Sequence, residues 1–189
     1  MNAIYLAPFG MIDDEILSTL EVCLWQVYGF DVRQMPPVMD PAAALDKKNN
    51  QYNSALILKE MLKNVPRDAE KVLGITNVDL FIPMLSFVFG HAQLNGRVAV
   101  ISLARLHQNF YHLSENRQLF LHRVMKEAVH EIGHTFGLTH CPDMACAMSL
   151  SNAIQFVDKK TGELCSNCSI LFEESTTHSR RTNGMEMQQ

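Results

Sequence analysis

The apolar positions of the chain change period several times, and each change marks an element. Ala3-Ile4-Tyr5-Leu6 is a short continuous run, stopped by Pro8 and Gly10, and reads as a buried strand. From Ile16 the period becomes three to four: Ile16, Leu17, Leu20, Cys23, Leu24 and Val27 share one helical face. Asp13 or Asp14 can cap that helix and Gly29 can end it. Phe30 to Met35 alternates as a second strand, closed by Pro36-Pro37. Residues 38–51 are polar and read as a loop, with a short helix through Ala42-Ala43-Ala44 as the alternative. Asn53 or Ser54 starts a helix carrying Leu56, Ile57, Met61 and Leu62, which stops before Pro66. Val72 to Thr76 is a third strand, and Asp79 to Pro83 a loop or short strand.

The alternation of strand and helix predicts an α/β fold with a mixed, mostly parallel sheet. Ser86 to Leu94 is strand-like, with Gly90 as a candidate bulge, and Asn95-Gly96 is a strong hairpin signal before Arg97 to Ser102. The sheet is therefore expected to gain an antiparallel edge strand over 86–94. Ser114 is the expected N-cap of a long helix whose buried stripe is Leu121, Met125, Ala128 or Val129, Ile132 and Phe136. Arg123, Lys126 and Glu127 read as solvated helix charges. The polar segment from Glu173 to Gln189 shows no packing pattern and reads as a flexible tail, with His178 non-catalytic.

The long helix carries the candidate chemistry. Residues 130–141 read H-E-x-x-H-x-x-G-x-x-H-C. His130 and His134, four apart, lie on one helical face and can reach one metal ion. Gly137 permits the left-handed turn that brings His140 back to them. Three imidazoles leave a fourth position for water, the ligand set of a catalytic zinc. Glu131 follows the first ligand directly and is placed to act as general base. Cys141 and Cys146, then Cys165 and Cys168, are spaced C-x4-C and C-x2-C, which suits a closed structural zinc. Two disulfides or free thiols are the alternative. Two zinc ions per chain are expected as cofactors. Cys23 reads as a buried free thiol.

The remaining composition bounds the setting. With 189 residues, 47% of them hydrophobic, one domain with a substantial core is expected. It divides into 1–137, ending with the histidine-bearing helix, a zinc-clamped 138–172, and the tail. A net charge of −4 argues against a nucleic-acid partner, and no run of about eighteen apolar residues predicts a membrane span. Asp13, Asp14 and Glu15 interrupt any signal-peptide pattern, no pro-segment stands out, and a cytoplasmic monomer is expected.

The extended motif resembles that of the metzincin metallopeptidases. Its continuation, His140-Cys141-Pro142-Asp143-Met144-Ala145-Cys146-Ala147-Met148 with Cys165-Ser166-Asn167-Cys168, is similar to the archaemetzincins. The resemblance implies a metzincin-like fold, a second zinc on the four cysteines, and Met148 as the methionine beneath the catalytic zinc. It also implies that the antiparallel edge strand receives a peptide or protein substrate in extended form. Some metzincins use a tyrosine beyond that methionine, but no tyrosine follows Tyr111 here. The expected activity is peptide-bond hydrolysis with Glu131 as base. The competing expectation is a two-zinc peptide-binding module with little or no hydrolysis.

Overall fold

In a computed structural model, residues 2–38 and 41–186 are described, with side chains as far as Thr177. The first strand, β1 (Ala3–Phe9), runs past Pro8. Leu6 and Pro8 turn their backbone groups toward the side where Met35 and Val38 donate to them. The donor that Pro8 lacks falls between the end of β2 (Asp31–Gln34) and a further parallel bridge of Phe9 with Val38, where the ladder is interrupted. Between the two strands, α1 (Asp14–Tyr28) has both expected ends. The Asp13 carboxylate accepts from the Glu15 N–H, and Gly29 adopts φ +69°.

The loop expected over 38–51 contains a 3-10 turn at Ala42–Ala44 and a small hairpin of β3 (Leu45–Asp46) and β4 (Gln51–Asn53). Residues 39 and 40 of that stretch lie outside the described residues. Asp46 accepts from the Lys48 N–H and the Asn49 amide, and Asn50 turns the chain at φ +52°. Asn53 caps α2 (Ser54–Met61). There follow β5 (Ala69–Thr76), β6 (Leu80–Ile82), β7 (Leu85–Val88), β8 (Gly90–Ala92) and β9 (Val98–Ser102).

The main sheet has the order β2-β1-β5-β9-β8, parallel throughout except for the edge strand β8. Alternate side chains serve two cores. Ile4, Leu6, Leu73, Ile75, Ala99 and Ile101 face α1 and the long helix α3 (Arg117–Thr135). Ala7, Phe9, Val72, Val98 and Val100 face α2. The expected strand over 86–94 is two strands in different sheets. β7 belongs to a small sheet of order β3-β4-β6-β7, and β8 to the main one. The chain changes sheets at Phe89, which is buried and meets Phe87 edge to face.

The long helix is capped by Asn116, not Ser114: the Asn116 side chain accepts from the Leu119 N–H at 3.0 Å. Its apolar stripe includes Phe120 and Val124 besides Ala128, Val129 and Ile132, while Leu121 and Met125 are only partly buried. Beyond it lie α4 (Ile154–Lys159) and α5 (Ser166–Glu186). The polar segment expected as a tail thus continues α5 as far as Glu186; the side chain of His178 and residues 187–189 lie outside the described residues. Among the described residues, no helix is long and apolar enough to cross a membrane.

Candidate active site

The end of α3 is a Schellman turn. The Leu138 N–H donates to the Gly133 carbonyl and the Gly137 N–H to that of His134, with Gly137 at φ +90°. This turn returns the chain so that His140 faces the helix. The ring centroids of His130, His134 and His140 lie 4.5, 5.0 and 5.4 Å apart in pairs. One nitrogen from each ring lies within 4.8 Å of the others.

Backbone carbonyls fix two of the rings. Nδ1 of His130 is 2.9 Å from the Ala147 carbonyl and Nδ1 of His134 is 2.7 Å from that of Leu138. A carbonyl only accepts, so both Nδ1 atoms carry the proton and both Nε2 atoms present lone pairs. Those two Nε2 atoms are 3.1 Å apart. Two lone pairs at that distance repel unless a cation sits between them. Two imidazole nitrogens on a tetrahedral zinc are about 3.3 Å apart, from bonds of about 2.05 Å, so the pair fits that ion. Burial holds the basicity of all three histidines below the ordinary range, which keeps the rings in the neutral form a metal requires.

Glu131 lies beside them beneath β8. Its burial, with the Glu127 carboxylate as a second cause, pushes its carboxyl well above the usual range. A cavity of about 380 Å³ opens here, bounded by Phe87, Phe89, Gly90, Glu131, His140 and Leu150. A larger one of about 860 Å³ lies between α1 and the start of α5 and touches none of the histidines.

The four cysteines form a second cluster. Their sulfurs lie within 4.8 Å of one another, and Sγ of Cys141 is 3.8 Å from that of Cys165. A tetrahedral zinc with bonds of about 2.3 Å would hold two sulfurs about 3.8 Å apart, so this set fits as well. The backbone N–H groups of Met148 and Cys165 donate to Cys146 Sγ. The Cys165 thiol is held below its ordinary range, first by the Cys168 backbone N–H, while burial pushes Cys141 and Cys168 up. All five cysteines are free thiols. Cys23 is buried as expected, its pKa pushed up to about 11.

Met148 is fully buried and packs on Gly133, where any Cβ would collide with its sulfur. The loop from His140 to Met148 therefore serves both clusters. It carries His140 and Cys141, its Ala147 carbonyl orients His130, and the Cys141 N–H donates to the Met148 carbonyl at 2.9 Å.

Sequence reasoning missed the charges behind the site. Arg123 and Glu127 are not solvated; they are 3% and 2% exposed. Arg123 makes a two-pronged bond to Asp158 at 2.7 and 2.8 Å. Lys160 Nζ, also buried, lies 2.8 Å from Glu127 Oε1, an ion pair by distance though its angles make no hydrogen bond. Lys126, partly buried, donates to the carbonyls of Val157 and Asp158. Arg123, Glu127 and Glu131 recur every four residues, so they share one helical face. That spacing was the available signal.

Comparison with known proteins agrees with this geometry. The sequence signature of Peptidase family M54 matches residues 36–174. The chain is 42% identical over 165 residues to the archaemetzincin of Methanocaldococcus jannaschii, covering 87% of this chain and 89% of that one. It is 36% identical over 186 residues to that of Pyrococcus abyssi, covering 95% and 98%. Among solved structures, the archaemetzincin of Methanopyrus kandleri superposes with a TM-score of 0.82 at 36% identity, over 93% of this chain and 96% of that one. The chain belongs to the archaemetzincins, Peptidase family M54, and is a zinc metallopeptidase.

Proposed function

We propose that His130, His134 and His140 hold the catalytic zinc and that Glu131 is the general base of peptide-bond hydrolysis. The observation that carries this reading is the convergence of three imidazoles beside a buried carboxylate, under the open edge of the sheet. When bound, the zinc supplies Lewis-acid polarisation of the scissile carbonyl and makes a water molecule acidic enough to attack at neutral pH.

The chain's own residues do the rest. Ala147 and Leu138 fix the tautomers of His130 and His134, so that both Nε2 atoms face the metal position. The free edge of β8 pairs with the substrate in extended form and lays its backbone across the site. Glu131 accepts the proton of the attacking water and delivers it to the nitrogen of the leaving amine. Met148, packed on Gly133, forms the floor beneath the histidines and is not a ligand.

Cys141, Cys146, Cys165 and Cys168 hold a second, structural zinc that ties the 138–172 segment together, for a total of two ions per chain. Four zinc-binding thiolates and the buried thiol of Cys23 suit the reducing cytoplasm expected from the sequence. The test is Glu131→Ala. Cleavage of peptide substrates should disappear while zinc content stays. Cleavage that survives means another group acts as base. A wild-type chain that binds zinc and peptides but never cleaves them would return the molecule to a binding role.

A further inference from the structure

Glu131 and the open edge of β8 meet at a residue that has no side chain. Two hydrogen bonds set the register of β8 on β9: Ser102 N–H to the Phe89 carbonyl at 2.8 Å, and Gln93 N–H to the Val98 carbonyl at 3.0 Å. Phe89, His91 and Gln93 therefore turn their backbone groups inward. The alternation of an antiparallel ladder leaves those of Gly90 and Ala92 at the free edge.

Side-chain directions alternate as well. Ala92 packs on the core shared with α1 and α3, whereas His91 reaches Ser54 on α2 at 2.9 Å. Position 90 thus faces α3. A Cβ built there would lie 2.5 Å from both Cγ and Oε1 of Glu131 and 2.7 Å from its Cδ. Non-bonded carbon atoms keep about 3.5 Å or more, so the two groups cannot share the space. The backbone does not itself call for glycine. Gly10, Gly29 and Gly137 adopt positive φ, and Gly90 does not. The Glu131 side chain is what excludes a Cβ here.

We propose that Gly90 is a positioning residue for the base: its missing side chain lets the Glu131 carboxylate lie against the free edge of β8, beneath the point where the substrate backbone pairs. This rests on Glu131 being the base. Any side chain at position 90 turns the carboxylate away or lifts β8 from α3. Either movement changes the distance between the base and a peptide bound at the edge, and a misplacement of about 1 Å costs about a hundredfold in rate.

The test is a double-mutant cycle of the wild type, Gly90→Ala, Glu131→Ala and the two together, each measured for zinc content, kinetics and unfolding. Gly90→Ala should lower kcat about a hundredfold, leave KM near the wild-type value because the backbone edge persists, and keep its zinc. It should lower the unfolding temperature when Glu131 is present and not in the Glu131→Ala background, where the space is free. A Gly90→Ala chain that fails to fold while the double variant folds supports the same collision. Wild-type kcat in Gly90→Ala, or an equal loss of stability in both backgrounds, overturns the proposal. Cleavage by Glu131→Ala alone would instead overturn the assignment of the base, and the unfolding half of the cycle would still report whether the two residues collide.

Discussion

The three histidines and the four cysteines are joined through one short loop, yet they are built by opposite means. Two of the histidines stand on a nineteen-residue helix, and their rings are locked by carbonyls of the protein. His130 and His140 line a cavity. The cysteines come from a loop, from the residue before α5 and from its first turn, where the surrounding apolar residues are few. Their sulfurs contact one another and local N–H groups. The histidine set is pre-organised by the fold and, as we propose it, leaves a fourth position on its ion free, as an exchangeable catalytic site requires. The cysteine set borders a cavity of its own, of about 520 Å³; on the proposed reading its four thiolates leave no position free on their ion, and it is the set that depends on its metal for order.

The largest effect that would sharpen this contrast is expected from Cys165→Ala. Structural zinc contributes on the order of 10 kcal/mol of folding free energy in small metal-held domains, and losing one of four thiolates removes part of it. Zinc content should fall and the unfolding temperature should drop in zinc-replete buffer. Through Cys141, Ala147 and Met148 the loss should also weaken zinc binding at the histidines. An unchanged unfolding temperature would break the comparison. Next comes Glu131→Ala, expected to lower kcat by about 10²–10⁴-fold with both metals retained, read by steady-state kinetics and metal analysis.

Lys160→Met probes the charges that tie α4 to the back of α3. Removing one partner of a buried pair leaves the other uncompensated, at about 3–5 kcal/mol. Denaturant unfolding should show that loss, and adding Glu127→Gln should recover part of it. The smallest effect is expected from Asn116→Ala, about 1 kcal/mol from the lost cap of α3, with no change at the cysteine cluster.

What was legible in the sequence follows the range of the interactions. Spacing on one helix, a glycine that ends it and short cysteine spacings are local, and each stands where the residues indicated. The hairpin at Asn95-Gly96 and both ends of α1 were legible for the same reason. Arg123 and Glu127 were misread because their partners, Asp158 and Lys160, lie more than thirty residues on, where no periodicity reaches. The split of 86–94 into β7 and β8 was hidden because one continuous strand-like run serves two sheets. Gly90 read as a bulge. Its absent side chain is explained by Glu131, a contact across the fold that only the packing of β8 on α3 reveals. The N-cap moved by two residues because Asn116, not Ser114, has its side chain within reach of a free helix N–H.

The central claim, an open histidine site beside a closed cysteine site, is tested most directly by counting zinc per chain in the purified protein before and after brief exposure to a mild chelator. The account predicts about two zincs falling to about one, with the lost ion restored by added zinc and activity following it. A single zinc that resists chelation and stays single when zinc is added would contradict it.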